Sequence, residues 1–300
     1  MGFSPASAAT SPAGTAPTVA AVNGAEVPAL QVRIREKRVT VGKRPLDVLS
    51  EVNFDVRRQE VVGIVGGSGA GKTSLLRAIA GLDTTFVGEI RAFGRLVRGP
   101  GRDRGLVFQE HRLMPWMSLS DNVAYALPFR RPAAQIEKQV VHALDLVGLA
   151  GFGKAWPNQL SGGMAQRASL ARALVTTPEI LLLDEPLGAL DSLLRSQMQT
   201  ELERIILDEA LTAILVTHDV DEAVLLADRV IVMAGPPGRI IADMAHPQPR
   251  PRDVADPALQ ALRAQILTVL HQGGRNGHLL VHPHPHRRPT PVDDAPGAGG

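Results

Sequence analysis

The chain has 300 residues, no cysteine and a formal charge of +2, with 44% hydrophobic and 21% charged residues. That length suits one large α/β domain or two modest ones. The lack of cysteine excludes disulfides, cysteine-based zinc sites and thiol catalysis, and the near-balanced charge leaves no electrostatic footprint for a nucleic-acid partner.

In chain order, residues 1–28 are rich in Ala, Ser, Thr, Pro and Gly and read as a disordered tail. They lack both a basic leader and a continuous apolar run, so no signal peptide is expected. Met1-Gly2 would suit myristoylation, but Ala6 stands where Ser or Thr is required. Nowhere do about 18 apolar residues follow one another, so no membrane span is expected. A partner would have to hold the chain at a membrane.

Residues 30–56 alternate apolar and polar side chains, as half-buried antiparallel strands do. From Val61 onward, buried strands alternate with helices, the pattern of a parallel sheet covered on both faces. The clearest later strands are 180–183, 213–216 and 230–233. Between about 113 and 160 the pattern is helical, with Ile136, Val140, Val141, Leu144 and Val147 at helical spacing, and reads as an insertion between two core strands. A connector and an amphipathic helix (258–270) occupy 246–271, and a His/Pro-rich tail fills 272–300. His278, His282, His284 and His286 have metal-ligand chemistry, but no carboxylates are arranged around them and a solvated tail explains them equally.

Gly66, Gly67, Ser68, Gly69, Ala70, Gly71, Lys72 and Thr73 fit the phosphate-cradling pattern G-x-x-x-x-G-K-[ST]. Glycines let backbone N–H groups approach an anion without a Cβ in the way, and the following helix adds its positive end. Lys72 supplies a point charge to the terminal phosphates and Thr73 a hydroxyl to Mg²⁺. The apolar run 60–65 before the loop, and Leu75, Leu76 and Ile79 after it, give the strand–loop–helix order that the pattern needs. A nucleoside triphosphate is the expected ligand.

Two further segments belong with this loop. The apolar run 181–183 closes on Asp184, Glu185 and Pro186, and carboxylates at the end of a buried strand belong at a ligand crevice. Asp184 is placed to hold Mg²⁺, and Glu185 to orient or deprotonate the water that attacks the γ-phosphate. Ser161 is a natural N-cap, and Gly162 and Gly163 leave the first N–H groups of the next helix open to a second phosphate contact.

The loop at 66–73, Phe108-Gln109, Leu160-Ser161-Gly162-Gly163, Asp184-Glu185, Leu190-Asp191 and Thr217-His218-Asp219 occur in that order. Over residues 30–245 the chain resembles the ATP-binding subunits of ATP-binding-cassette transporters. The resemblance implies an α/β P-loop fold with a mixed core sheet, an antiparallel β subdomain and a helical insertion. It also implies a head-to-tail pair of subunits. ATP and Mg²⁺ would lie between residues 66–73, Gln109, Asp184, Glu185 and His218 of one copy and Ser161 and Gly163 of the other. Gln109 would contact Mg²⁺ and the attacking water, His218 would hold the γ-phosphate, and Asp191 would link the two sites.

One departure concerns adenine. The family commonly stacks an aromatic on the base some two dozen positions before the phosphate loop, whereas here Val41 stands in a stretch without aromatics. Gln59 also replaces a usual turn glycine. The wording from Arg104 to Trp116, Met164-Ala165-Gln166-Arg167, and Gly235 to Arg239 is similar to importers of nitrate, sulfonates and taurine. Within that branch it is most similar to aliphatic-sulfonate importers. The resemblance implies two transmembrane permease subunits, a periplasmic binding protein and a place on the cytoplasmic face of the inner membrane. Four other classes fit poorly, among them a non-enzymatic nucleotide sensor, which would lack the acid present here as Glu185. DNA-repair relatives carry a long or zinc-bearing insertion, a GTPase carries Asn-Lys-x-Asp, and an exporter half carries its own membrane helices.

Overall fold

The computed structural model describes residues 27–273, apart from positions 129, 189, 247 and 251 and the side chain of Val41. Strands β1 (Leu30–Val41) and β2 (Arg44–Val56) form an antiparallel ladder with Val32 opposite Phe54 and Ile34 opposite Val52. Leu30, Val32, Ile34, Val52, Phe54 and Val56 are all buried, as the alternation predicts. A turn follows in which Gln59 takes φ 60°, the left-handed conformation, and its N–H donates to Thr212 Oγ1 at 3.0 Å. That bond helps hold a non-glycine residue where glycine is usual.

Strand β3 (Val61–Gly66) enters helix α1 (Lys72–Ile79), and β4 (Val87–Ala92) with β5 (Arg95–Leu96) extends the antiparallel sheet to the order β2-β1-β4-β5. Lys37 of β1 is 1% exposed, and its ammonium donates to Asp83 Oδ2 at 2.6 Å and to the Thr85 carbonyl at 3.3 Å. Strand β6 (Arg104–Val107) precedes the segment expected to be helical. That segment holds α2 (Leu119–Ala124), α3 (Ala133–Leu146) and two short 3₁₀ turns. Val140 and Leu144 are buried, but Val141 is 55% exposed. Val141 lies in the helix that the spacing predicts, and its exposure follows because a residue next to a buried one lies about 100° round the helix.

Helix α4 (Gly162–Leu174) leads to β7 (Ile180–Asp184), then α5 (Ser192–Asp208), β8 (Thr212–Thr217), α6 (Val220–Leu226), β9 (Arg229–Ala234), β10 (Arg239–Ala245) and α7 (Pro257–Gly273). The second sheet runs β10-β9-β3-β8-β7-β6, parallel except for the β10 edge. Every residue of β3, β7 and β8 is buried, which is why those runs are apolar without alternation. Val61, Leu183 and Leu215 face the core shared with α4–α7 and the inserted helices. Ile64, Leu182 and Ile214 face α1 and the antiparallel sheet. Helix α1 is thereby held between the two sheets, and the loop before it opens at the C-terminal ends of the parallel strands. The two tails and their four histidines lie outside the described residues.

Candidate functional site

The loop from Gly66 to Gly71 needs its glycines for two separate reasons. Gly69 and Gly71 take φ 80° and 79°, where side chains are strained. A Cβ on Gly71 would also lie 2.6 Å from Leu49 Cδ2, and one on Gly66 would lie 2.5 Å from the Met233 carbonyl oxygen. Residues 68–74 share an open cleft of about 630 Å³ with Val48, Glu185 and His218. Lys72 is 7% exposed and donates to the carbonyls of Gly66 at 2.8 Å and Gly67 at 3.1 Å. Burial lowers its pKa, against the opposing pull of the Glu185 and Asp184 carboxylates.

Asp184 ends β7 and is 7% exposed, and its Oδ1 accepts from the Thr73 hydroxyl at 3.2 Å. Burial pushes its carboxyl pKa up; the Thr73 bond opposes this, and the Glu185 charge adds to it. Glu185 follows at φ 47°, and its N–H donates to the Val216 carbonyl at 2.8 Å. The turn brings Oε2 within 3.0 Å of Gln109 Nε2, which donates to it, and 3.3 Å from His218 Nδ1. Residues from the ends of three strands, expected separately from sequence, thus meet on one carboxylate.

Ser161 to Gly163 lie elsewhere and do not line this cleft. Ser161 caps α4, its Oγ accepting from Met164 N–H at 3.3 Å, and both Ser161 and Gly162 are exposed. A Cβ on Gly162 would meet nothing within 4 Å among the described residues. The same helix grips the Gln109 segment. His111 Nδ1 lies 2.7 Å from Gln166 Oε1, and Arg172 donates to the carbonyls of Arg112 and His111 at 2.7 and 2.9 Å. Asp191 caps α5 by accepting from Leu193 and Leu194 N–H at 3.1 Å each. The side chain of Val41 lies outside the described residues, whereas Val48 forms an apolar wall of the cleft. No spacing rule singles out Val48, because the close approach of β2 to Gly71 puts it there.

A family model described as ABC transporter matches residues 49–188. The aliphatic sulfonates import ATP-binding protein SsuB of Bacillus licheniformis is 43% identical over 238 residues, covering 79% of this chain and 92% of that protein. Its namesake SsuB 2 of Burkholderia lata is 45% identical over 245 residues, covering 82% and 87%. Among solved structures, a dimeric post-hydrolysis state of the ATP-binding cassette MJ0796 bound to ADP and Pi aligns with a TM-score of 0.61 at 29% identity. The alignment covers 68% of this chain and 93% of that one.

An α/β P-loop fold with converging strand-end carboxylates is the architecture of a nucleotide-hydrolysing engine. The chain belongs to the ABC transporter family of ATP-binding proteins. It is a nucleotide-binding ATPase of the transport class.

Proposed function

We propose that two copies of this chain clamp Mg-ATP head to tail and use its hydrolysis to power import of aliphatic sulfonates through a permease. One observation carries the shared site. Within one copy, the exposed residues Ser161 and Gly162 stand outside the cleft of the P-loop, so a phosphate gripped by both segments needs a second copy. The dimeric state of the cassette MJ0796 supports the same reading.

In this reading ATP and water give ADP and phosphate. Glu185 orients the water and accepts its proton, while Gln109 and His218 fix the carboxylate from either side. Lys72 exchanges the Gly66 and Gly67 carbonyls for phosphate oxygens. Thr73, Gln109 and Asp184 are the side chains that would hold Mg²⁺. Their donors are all oxygen and Thr73 already touches Asp184, which fits a small hard cation. The ion would offset charge on the β- and γ-phosphates.

The sulfonate cargo rests on the named relatives. Among the described residues no helix is long and apolar enough to cross a membrane. Exposed Trp116, Phe152 and Trp156 suit docking to permease subunits, and the Leu119–Ala155 and Ser120–Gly153 backbone bonds hold their two segments side by side. On this reading the chain sits at the cytoplasmic face of the inner membrane, and a periplasmic binding protein delivers sulfonate to the permease. The central test uses Glu185→Gln, which slows hydrolysis while leaving the clamp intact. At saturating Mg-ATP it should run as a dimer in light scattering; a monomer there overturns the clamp. Growth on alkanesulfonates as sole sulfur source after deletion tests the cargo, and normal growth with lost taurine or nitrate uptake would reassign it.

A further inference from the structure

We propose that Glu222 is a positioning residue for His218, acting through the hydroxyl of Thr217; this rests on the reading above that His218 works beside Glu185.

Glu222 sits in the first turn of α6 and is 2% exposed, although nothing in the nucleotide chemistry uses it. Its Oε2 accepts from Thr217 Oγ1 at 2.6 Å, and Thr217 is itself 1% exposed. The same hydroxyl accepts from the Asp219 N–H at 3.0 Å. One hydroxyl therefore ties the residue before His218 to the residue after it. Asp219 Oδ1 completes the ring, accepting from the N–H groups of Asp221 at 2.9 Å and Glu222 at 3.4 Å. His218 is the single residue bracketed, and its side chain is 62% exposed. With so little packing on the imidazole, its aim at Glu185 comes from the backbone turn beneath it.

A buried acid in the first turn of a helix is ordinarily read as a helix-dipole partner. Glu222 does not fit that role well. Its carboxyl group is directed to a side-chain hydroxyl, and the buried Oε1 has no hydrogen-bond partner among the described residues. An apolar residue of similar size would fill this place without burying an unpaired oxygen. What the carboxyl group adds is an acceptor oxygen that fixes the Thr217 hydroxyl, and so the turn.

The test uses purified full-length chain, with steady-state phosphate release against Mg-ATP concentration. Glu222→Ala should lower kcat about 10-fold with KM within about 2-fold, the pattern of a misaimed catalytic group. Glu222→Gln keeps an acceptor oxygen and should restore kcat to within about 2-fold of the wild type. Thr217→Val should repeat the Glu222→Ala loss and Thr217→Ser should not, which keeps the proposal testable if the alanine variant folds poorly. Added to His218→Ala, the Glu222→Ala change should cost nothing further. Wild-type turnover by Glu222→Ala and Thr217→Val beside a slow His218→Ala, or losses that multiply with His218→Ala, would overturn this proposal alone. Wild-type turnover by His218→Ala would take the underlying reading down with it.

Discussion

Replacing Glu222 by Gln should change how stability depends on pH, and the structure sets both the sign and the size. Burial lifts the Glu222 carboxyl from 4.5 to about 7, with the nearby Asp219 and Glu185 charges adding to the rise and Thr217 and Arg195 opposing it. The packed strands β3 and β8 carry no titratable side chain, and Arg263 of α7 is engaged with Asp221. A folded pKa above the unfolded one means that the native state keeps a proton the unfolded chain has released. The contribution is therefore complete below pH 4.5 and is lost as pH rises through about 7. A gap of that size corresponds to about 3 kcal/mol, of which about 2 kcal/mol accrues between pH 5 and pH 8. Glutamine fills the same volume, can accept from Thr217 and has no proton to lose. Urea unfolding of wild type and Glu222→Gln at both pH values reads the difference directly. Glu222→Gln should gain about 2 kcal/mol relative to wild type at pH 8 compared with pH 5. If the two proteins show parallel pH dependence, the carboxyl is ionised in the native state at neutral pH and the burial argument fails.

Gly71→Ala should abolish nucleotide binding, because the new Cβ meets Leu49 and the Val48 carbonyl at a φ that disfavours side chains; titration calorimetry with a non-hydrolysable ATP analogue checks it. Asp83→Asn should lower stability by about 2 kcal/mol at pH 7, by leaving the Lys37 ammonium buried without its counter-charge. That figure already discounts screening at a carboxylate that is 33% exposed. Burial raises the Asp83 pKa, but Lys37 and Thr85 together outweigh it and hold it at about 2, so the pair stabilises above pH 3.8 and fades as pH falls toward 2. Trp116→Ala, at a side chain 70% exposed, should leave stability within about 0.5 kcal/mol and phosphate release by the purified chain unchanged, yet reduce recovery of the chain with its permease in a co-purification.

What the sequence made legible was mostly local. The phosphate loop, the Ser161 cap and the apolar runs at 60–65, 180–183 and 213–216 are each written in neighbouring residues, and each run lies within one residue of a buried strand. Helical spacing also found α3, but it left open which of its apolar residues are buried, since spacing marks a face without saying how wide it is and Val141 is exposed. Glu222 and Val48 gave no signal, and Thr217 stood out only as the neighbour of His218, since their significance comes from what the fold sets beside them. A threonine ending an apolar strand and a glutamate opening a helix are unremarkable apart.

The order of strands explains why the site needed a structure. Along the chain the strands run β3, β6, β7, β8, but across the sheet they run β3, β8, β7, β6. The crossover puts His218, just past β8, and Gln109, just past β6, on the two flanks of Glu185, just past β7. Sequence separations of 76 residues on one side therefore become a 3.0 Å hydrogen bond. Glu185 itself has to turn back over the sheet edge to meet both neighbours, and its φ of 47° is the cost of that turn, about 1–3 kcal/mol for a non-glycine residue. The Val216 carbonyl holds its N–H and the Gly188 N–H donates to its carbonyl, so the strained backbone is pinned at both peptide groups. Strain fixed in this way makes the aim of the carboxylate a property of the sheet; in the proposed clamp, only the opposite face of the phosphate is left for a second copy to supply.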